Sequence, residues 1–242
     1  MVAPLAMRTI AIIQARLGST RLPGKVLMDL GGKPMLVHVI ERARAIWGVD
    51  DVRVAVPYED AMEIIGRLHA AGEVRATVYP GHPTDVLDRF WWNVGHADII
   101  MRLTGDCPLL APEVAELALE SFLSPAARAH KMDYLGTTRP DTAHQYADGF
   151  DVEVISRAAL EAAHREATGK DREHVTSFIW RQPERFKIVG LKPELEWAWM
   201  RDYKLSVDTQ KDLDRVRAIH ARIPAGNFSL AATLKAAKEV GL

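Results

Sequence analysis

The chain has 242 residues, 48% hydrophobic and 26% charged, which is the balance of a globular protein with one large core or two small ones. Its formal charge of -1 argues against a general nucleic-acid binder, so any hold on anions has to be local. The single cysteine, Cys107, excludes an intramolecular disulfide and fits a reducing cytoplasm, and no apolar run approaches the ~20 residues of a membrane span.

Residues 1–6 read as a tail too short for a signal peptide's apolar region, with Met7 as an alternative start. Residues 8–13 form a first strand around the apolar run Ile10-Ala11-Ile12-Ile13. The next segment, Gln14 to Lys25, is a loop with two glycines, a proline, two hydroxyls and the cations Arg16, Arg21 and Lys25. Backbone N–H groups in such a turn make an anion nest, and the cations supply counter-charge. It is not a Walker A loop: five residues separate Gly18 from Gly24, and Val26 follows Lys25 where Ser or Thr would be needed. The plain structural alternative is a solvated loop with incidental cations.

A helix is predicted over Pro34 to Trp47, a strand over Asp51 to Val56 and a helix over Glu59 to Ala71, ending at Gly72. A strand follows at Val74 to Tyr79, a helix at Thr84 to Gly95 with Thr84 as N-cap, a strand at Asp98 to Leu103 and a helix at Pro112 to Leu123. This βαβα succession predicts an α/β fold whose mixed, mainly parallel sheet is flanked by helices. Ligands then bind beyond the carboxyl ends of the strands, where loops 14–25 and 104–110 both fall. The second half is less regular. Strands are expected at Met132 to Thr137, Asp151 to Ile155 and Phe186 to Leu191, with a loop over 139–150. Helices are expected at Ser156 to about Thr168, at Lys170 to Trp180, and from Thr209 to about Arg222. The whole reads as one domain over 7–242, with an added lobe within about 130–200.

Two carboxylates stand just past strand-like runs. Asp106, in Thr104-Gly105-Asp106-Cys107-Pro108, suits a Mg²⁺ ligand, since that ion uses one or two carboxylates with phosphate oxygens and water. An Asp-x-Asp metal motif, as in many glycosyltransferases, is not formed because position 108 is Pro. Asp208, in Ser206-Val207-Asp208-Thr209, either faces a metal or joins Thr209 in capping the last helix. Cys107 reads as a small buried residue. The histidines 38, 69, 96, 130, 164 and 220 show no zinc spacing.

The string from Ile13 to Lys25, followed by Gly32-Lys33-Pro34-Met35-Leu36-Val37-His38, resembles the cytidylyltransferases that activate octulosonic and sialic-type acid sugars. It is most similar to the subgroup named after the spore-coat polysaccharide protein SpsF. The resemblance runs from Ile10 to Val207-Asp208-Thr209. It implies a Rossmann-like nucleotide-diphospho-sugar transferase fold, a role in polysaccharide biosynthesis, a homodimer, and CTP with Mg²⁺ held by Asp106 and Asp208.

Arg16 and Lys25 would grip the triphosphate, and the backbone at Gln14 and Ala15 would read the base. Gly18, Ser19 and Arg21 complete the phosphate loop. Gly81, Asp85 and Asp88 are further nucleotide-side candidates, although Val86 stands where the octulosonic-acid enzymes place an Arg, and an acid-rich helix start explains the two aspartates equally well. Glu153 and His174 are the acceptor-side candidates. Glu153 reads equally as an outward strand residue, and His174 as a satisfied partner of its neighbours. A phosphorylated acceptor would find cations in Arg139, Arg172, Arg201 and Lys204. A nucleotidyltransferase of other base preference, a glycosyltransferase on this fold and a non-catalytic nucleotide binder stay as alternatives.

Overall fold

The computed structural model describes residues 7–72, 74–137, 146–193 and 195–242. The strand β1 (Thr9–Gln14) sits inside the sheet with both faces covered. Ile10 and Ile12 point into one core, and Ala11 and Ile13 into the other. This explains the unbroken apolar run: a strand buried on both sides has no polar face to alternate with.

After the Gly-rich loop, β2 (Asp29–Leu30) and β3 (Lys33–Pro34) form a small hairpin. Gly31 and Gly32 make its turn, both at positive φ (61° and 87°), which is the glycine-favouring geometry of a two-residue hairpin turn. Then come α1 (Met35–Arg44), β4 (Asp51–Pro57), α2 (Ala61–Ala70), β5 (Thr77–Gly81), α3 (Val86–Trp92), β6 (Ile99–Thr104), α4 (Pro112–Leu123) and α5 (Pro125–Ala129). The chain continues through β7 (Tyr134–Gly136), β8 (Glu153–Ser156), α6 (Arg157–Glu166), α7 (Ser177–Trp180), β9 (Ile188–Gly190), α8 (Gln210–His220) and α9 (Leu230–Glu239).

The main sheet has the order β5-β4-β1-β6-β8-β7-β9. From β5 to β6 all pairs are parallel; β8 runs antiparallel to both β6 and β7, and β9 is parallel to β7. This is the mixed, mainly parallel, helix-flanked sheet that was expected. The region expected as an added lobe extends that same sheet by three strands. Among the described residues no helix is long and apolar enough to cross a membrane.

Several local expectations are corrected. Asp85, not Thr84, caps α3: its carboxylate accepts from the Asp88 N–H at 2.9 Å. The strand expected at 74–79 starts at Thr77, and its Pro80 is tolerated because β5 is an edge strand. The helix expected over 170–180 divides into a 3-10 turn at Gly169–Arg172 and the short α7. The sequence reading places nothing after Arg222, whereas α9 follows there, capped by Ser229. Residues 1–6 and most of the expected loop, including Arg139, lie outside the described residues.

Candidate functional site

The loops after β1, after β6 and before α8 meet at the carboxyl ends of the two adjacent central strands. Backbone bonds tie them together. Gly105 N–H donates to Gln14 O at 2.9 Å, and Val207 N–H donates to Asp106 O at 2.9 Å. A Cβ at position 105 would lie 3.1 Å from Gln14 O, so glycine permits this close approach. The first loop is braced from outside by Asp60, which accepts the Leu17 N–H at 2.7 Å.

Gly24 turns at φ 69° and feeds Lys25 into a short 3-10 turn. Lys25 is therefore buried, and its ammonium reaches across the cleft. It donates to Asp106 Oδ2 at 2.8 Å, to Val207 O at 2.6 Å and to Asp208 Oδ1 at 3.2 Å. Asp208 also pairs with Arg21 at 2.7 Å and with Lys204 at 2.9 Å. Burial works against the Asp208 charge, but the hydrogen bonds from Lys204 and Lys25 outweigh it and hold its pKa below the ordinary carboxylate value. Lys204 is correspondingly raised, chiefly by its bond to Asp208.

Around this cluster lies a polar cavity of about 280 Å³, lined in part by Gln14, Ala15, Arg16, Ser19, Arg21 and Lys25. A second cavity of about 230 Å³ adjoins it and contains Asp151, Glu153, His174 and Trp180. A larger hollow of about 710 Å³ lies between α2 and β5, but its lining among the described residues is largely aliphatic, with His69 and Thr77 as the polar side chains.

The donor set fits Mg²⁺. Asp106 and Asp208 both turn an oxygen to the Lys25 ammonium, and two carboxylates are the number that this ion takes together with phosphate oxygens and water, so a bound ion would share or take over the place that Lys25 now holds. Among the described residues no group of three or more His, Cys, Asp or Glu side chains converges for a metal, so the protein offers these two carboxylates.

The cytidylyltransferase family profile matches residues 10–235. The chain belongs to the cytidylyltransferase family. The 3-deoxy-manno-octulosonate cytidylyltransferase of Yersinia enterocolitica is 31% identical to it, over 88% of this chain and 98% of that one. An uncharacterised protein of Methanocaldococcus jannaschii is 35% identical over 85% of this chain and 80% of its own. A cytidylyltransferase structure from Leptospira borgpetersenii superposes with a TM-score of 0.84 at 26% identity, covering 96% of this chain and 94% of that one.

Within this cytidylyltransferase, the candidates divide by position. Gln14, Ala15, Arg16, Ser19, Arg21, Lys25, Asp106 and Asp208 share the first cavity, while Gly18 does not line it. Gly81, Asp85 and Asp88 do not line it either. Gly81 is packed against Arg89, where a Cβ would come within 2.7 Å of the side chain. Asp85 caps α3 and takes an ion pair from Arg172 at 2.6 Å; Asp88 pairs with His164 at 2.9 Å.

His174 is exposed at the second cavity, whereas Glu153 is buried there and holds three hydrogen-bond partners. Glu153 accepts from Tyr134 Oη and Thr176 Oγ1, each at 2.7 Å, and forms an ion pair with Arg102. Burial opposes the Arg102 charge, but Glu153 more than offsets that and raises its pKa. Arg102 is a charged cavity residue that the sequence reading missed, and its signal was the one cation in the strand Ile99–Thr104. Cys107 is the buried residue expected, its thiol pushed well up by burial.

Proposed function

We propose that this cytidylyltransferase moves CMP from CTP to a hydroxyl of a small acceptor, an acid sugar or a related hydroxy or phosphorylated compound, and releases pyrophosphate. The observation that supports this best is the buried Lys25 ammonium held between Asp106 and Asp208 at the strand ends, inside a cavity rimmed by Arg16 and Arg21. The acceptor oxygen forms a bond to the α-phosphorus in line as the bond to pyrophosphate breaks, and the hydroxyl proton passes to solvent. Arg16 and Arg21 neutralise the β- and γ-phosphates. The exposed Arg21 leaves its Asp208 pair to do so. Lys25 stabilises charge on the α-phosphate, and Gln14 with Ala15 borders the base.

We assign Asp106 and Asp208 as the residues that hold Mg²⁺, which when bound polarises phosphate oxygens and lowers the pKa of a nearby hydroxyl. Arg16, Arg21 and Lys25 act by positioning and electrostatics, and no side chain is assigned as a general base. The homodimer implied by the resemblance belongs to the same reading; light scattering should return twice the chain mass of 26.9 kDa.

The decisive experiment is a pyrophosphate-release screen of the purified protein with Mg²⁺, CTP and a panel containing 3-deoxy-manno-octulosonate, N-acetylneuraminate and phosphorylated sugars. At least one acceptor should give release from CTP that Asp106→Asn abolishes. Faster consumption of UTP, GTP or ATP than of CTP across the panel would overturn the base assignment. An Asp106→Asn enzyme of unchanged rate would overturn the metal assignment.

A further inference from the structure

The two adjoining cavities share a wall made of two side chains. Arg102 and Thr104, which project from the same face of β6, line both. Among the described residues, Arg102 and Thr104 are the side chains common to both cavities, so they stand where reactants held in the two would meet. Arg102 is fixed at that place. One guanidinium nitrogen pairs with Glu153, its register partner across the antiparallel β6–β8 pair. The other donates to Gln14 Oε1 at 3.1 Å, and Nε is buried with no partner among the described residues. Glu153 is anchored in turn by Tyr134 and Thr176. The phosphate-side cations Arg16, Arg21 and Lys25 all come from the first loop, so Arg102 is a separate charge facing the acceptor side.

We propose that Arg102 is a catalytic residue, presenting a fixed positive charge where the acceptor oxygen meets the α-phosphorus, and that Glu153 positions Arg102 rather than binding the acceptor. This rests on the cytidylyl-transfer reading above. The bonds made and broken are those already given. Arg102 exchanges no proton; it offsets the negative charge that gathers around the α-phosphorus during attack. A charge already clamped in place needs no reorganisation as the reaction proceeds, and losing one such donor costs about 10²–10³-fold in rate.

A purely structural role predicts something different, because an unpaired buried Glu153 would harm folding by itself. The double variant Arg102→Gln/Glu153→Gln removes both charges together. It is compared with the parent chain in CTP and Mg²⁺, using the panel acceptor that gives the parent its fastest pyrophosphate release. The double variant should melt within a few degrees of the parent and bind CTP within about threefold by calorimetry, yet lose about 100-fold in kcat. Arg102→Lys, which keeps the charge, should recover at least about tenfold of that loss. Glu153→Gln alone should lower kcat, not raise the acceptor KM at constant kcat.

A double variant with parental kcat, or a lysine variant as slow as the double, overturns the role of Arg102. A Glu153→Gln enzyme changed only in acceptor KM restores Glu153 as an acceptor ligand. A parent that releases no pyrophosphate with any acceptor overturns the underlying reading itself.

Discussion

Lys25 is the residue whose environment says most about the site. A buried ammonium with three oxygen partners is costly to disturb, because its removal leaves two carboxylates facing each other. Lys25→Met should therefore destabilise the free protein by about 1–3 kcal/mol, seen as a Tm lower by several degrees. It should also reduce pyrophosphate release by about 100-fold or more, because the proposed reaction assigns Lys25 to the charge on the α-phosphate. Arg21 and Lys204 still hold Asp208 in that variant, so the chain should remain folded. Asp85 and Asp88 show the opposite case. Both are nucleotide-side candidates by sequence, yet Asp85 caps a helix and pairs with Arg172, Asp88 bonds to His164, and neither lines the first cavity.

Among the elements, α8 bears most directly on the site. Thr209 caps it, and a reciprocal capping box joins Thr209 to Asp212, whose carboxylate also accepts the Asp208 N–H at 3.2 Å. The cap thus sets the backbone that presents Asp208. Thr209→Ala should cost about 1 kcal/mol, a Tm decrease of about 2–4 °C, with a modest fall in transfer rate. Thr209→Ser, which keeps the hydroxyl, should stay close to the parent in both thermal denaturation and turnover.

Elements of this kind are legible because their signals are local. The apolar run of β1, the Pro start of α4 and the Thr209 cap each lie within a few residues of what they determine. The stretch around α7 differs from the helix expected over Lys170 to Trp180. The chain instead turns there to bring Val175, Thr176 and Ser177 inward, where Thr176 reaches Glu153.

Across the whole molecule, CTP should bind the folded state alone, because its cavity is assembled from three loops that meet only after folding. At 100 times its dissociation constant the nucleotide should add about 2.7 kcal/mol and raise Tm by roughly 5–10 °C. Equal concentrations of UTP or GTP should raise it less, and Lys25→Met should nearly remove the CTP shift, all read by scanning fluorimetry. The sequence by itself determined a central strand apolar on both faces, a cationic Gly-rich loop after it, and carboxylates just past later strand-like runs. Each is a property of neighbouring residues. Only the tertiary structure decided that Lys25 lies between Asp106 and Asp208, that Arg102 joins Glu153 to Gln14, and that Asp85 and Asp88 are taken up by Arg172 and His164 respectively. Those partners lie between 51 and 183 residues apart in the chain, and sheet register and loop closure bring them together.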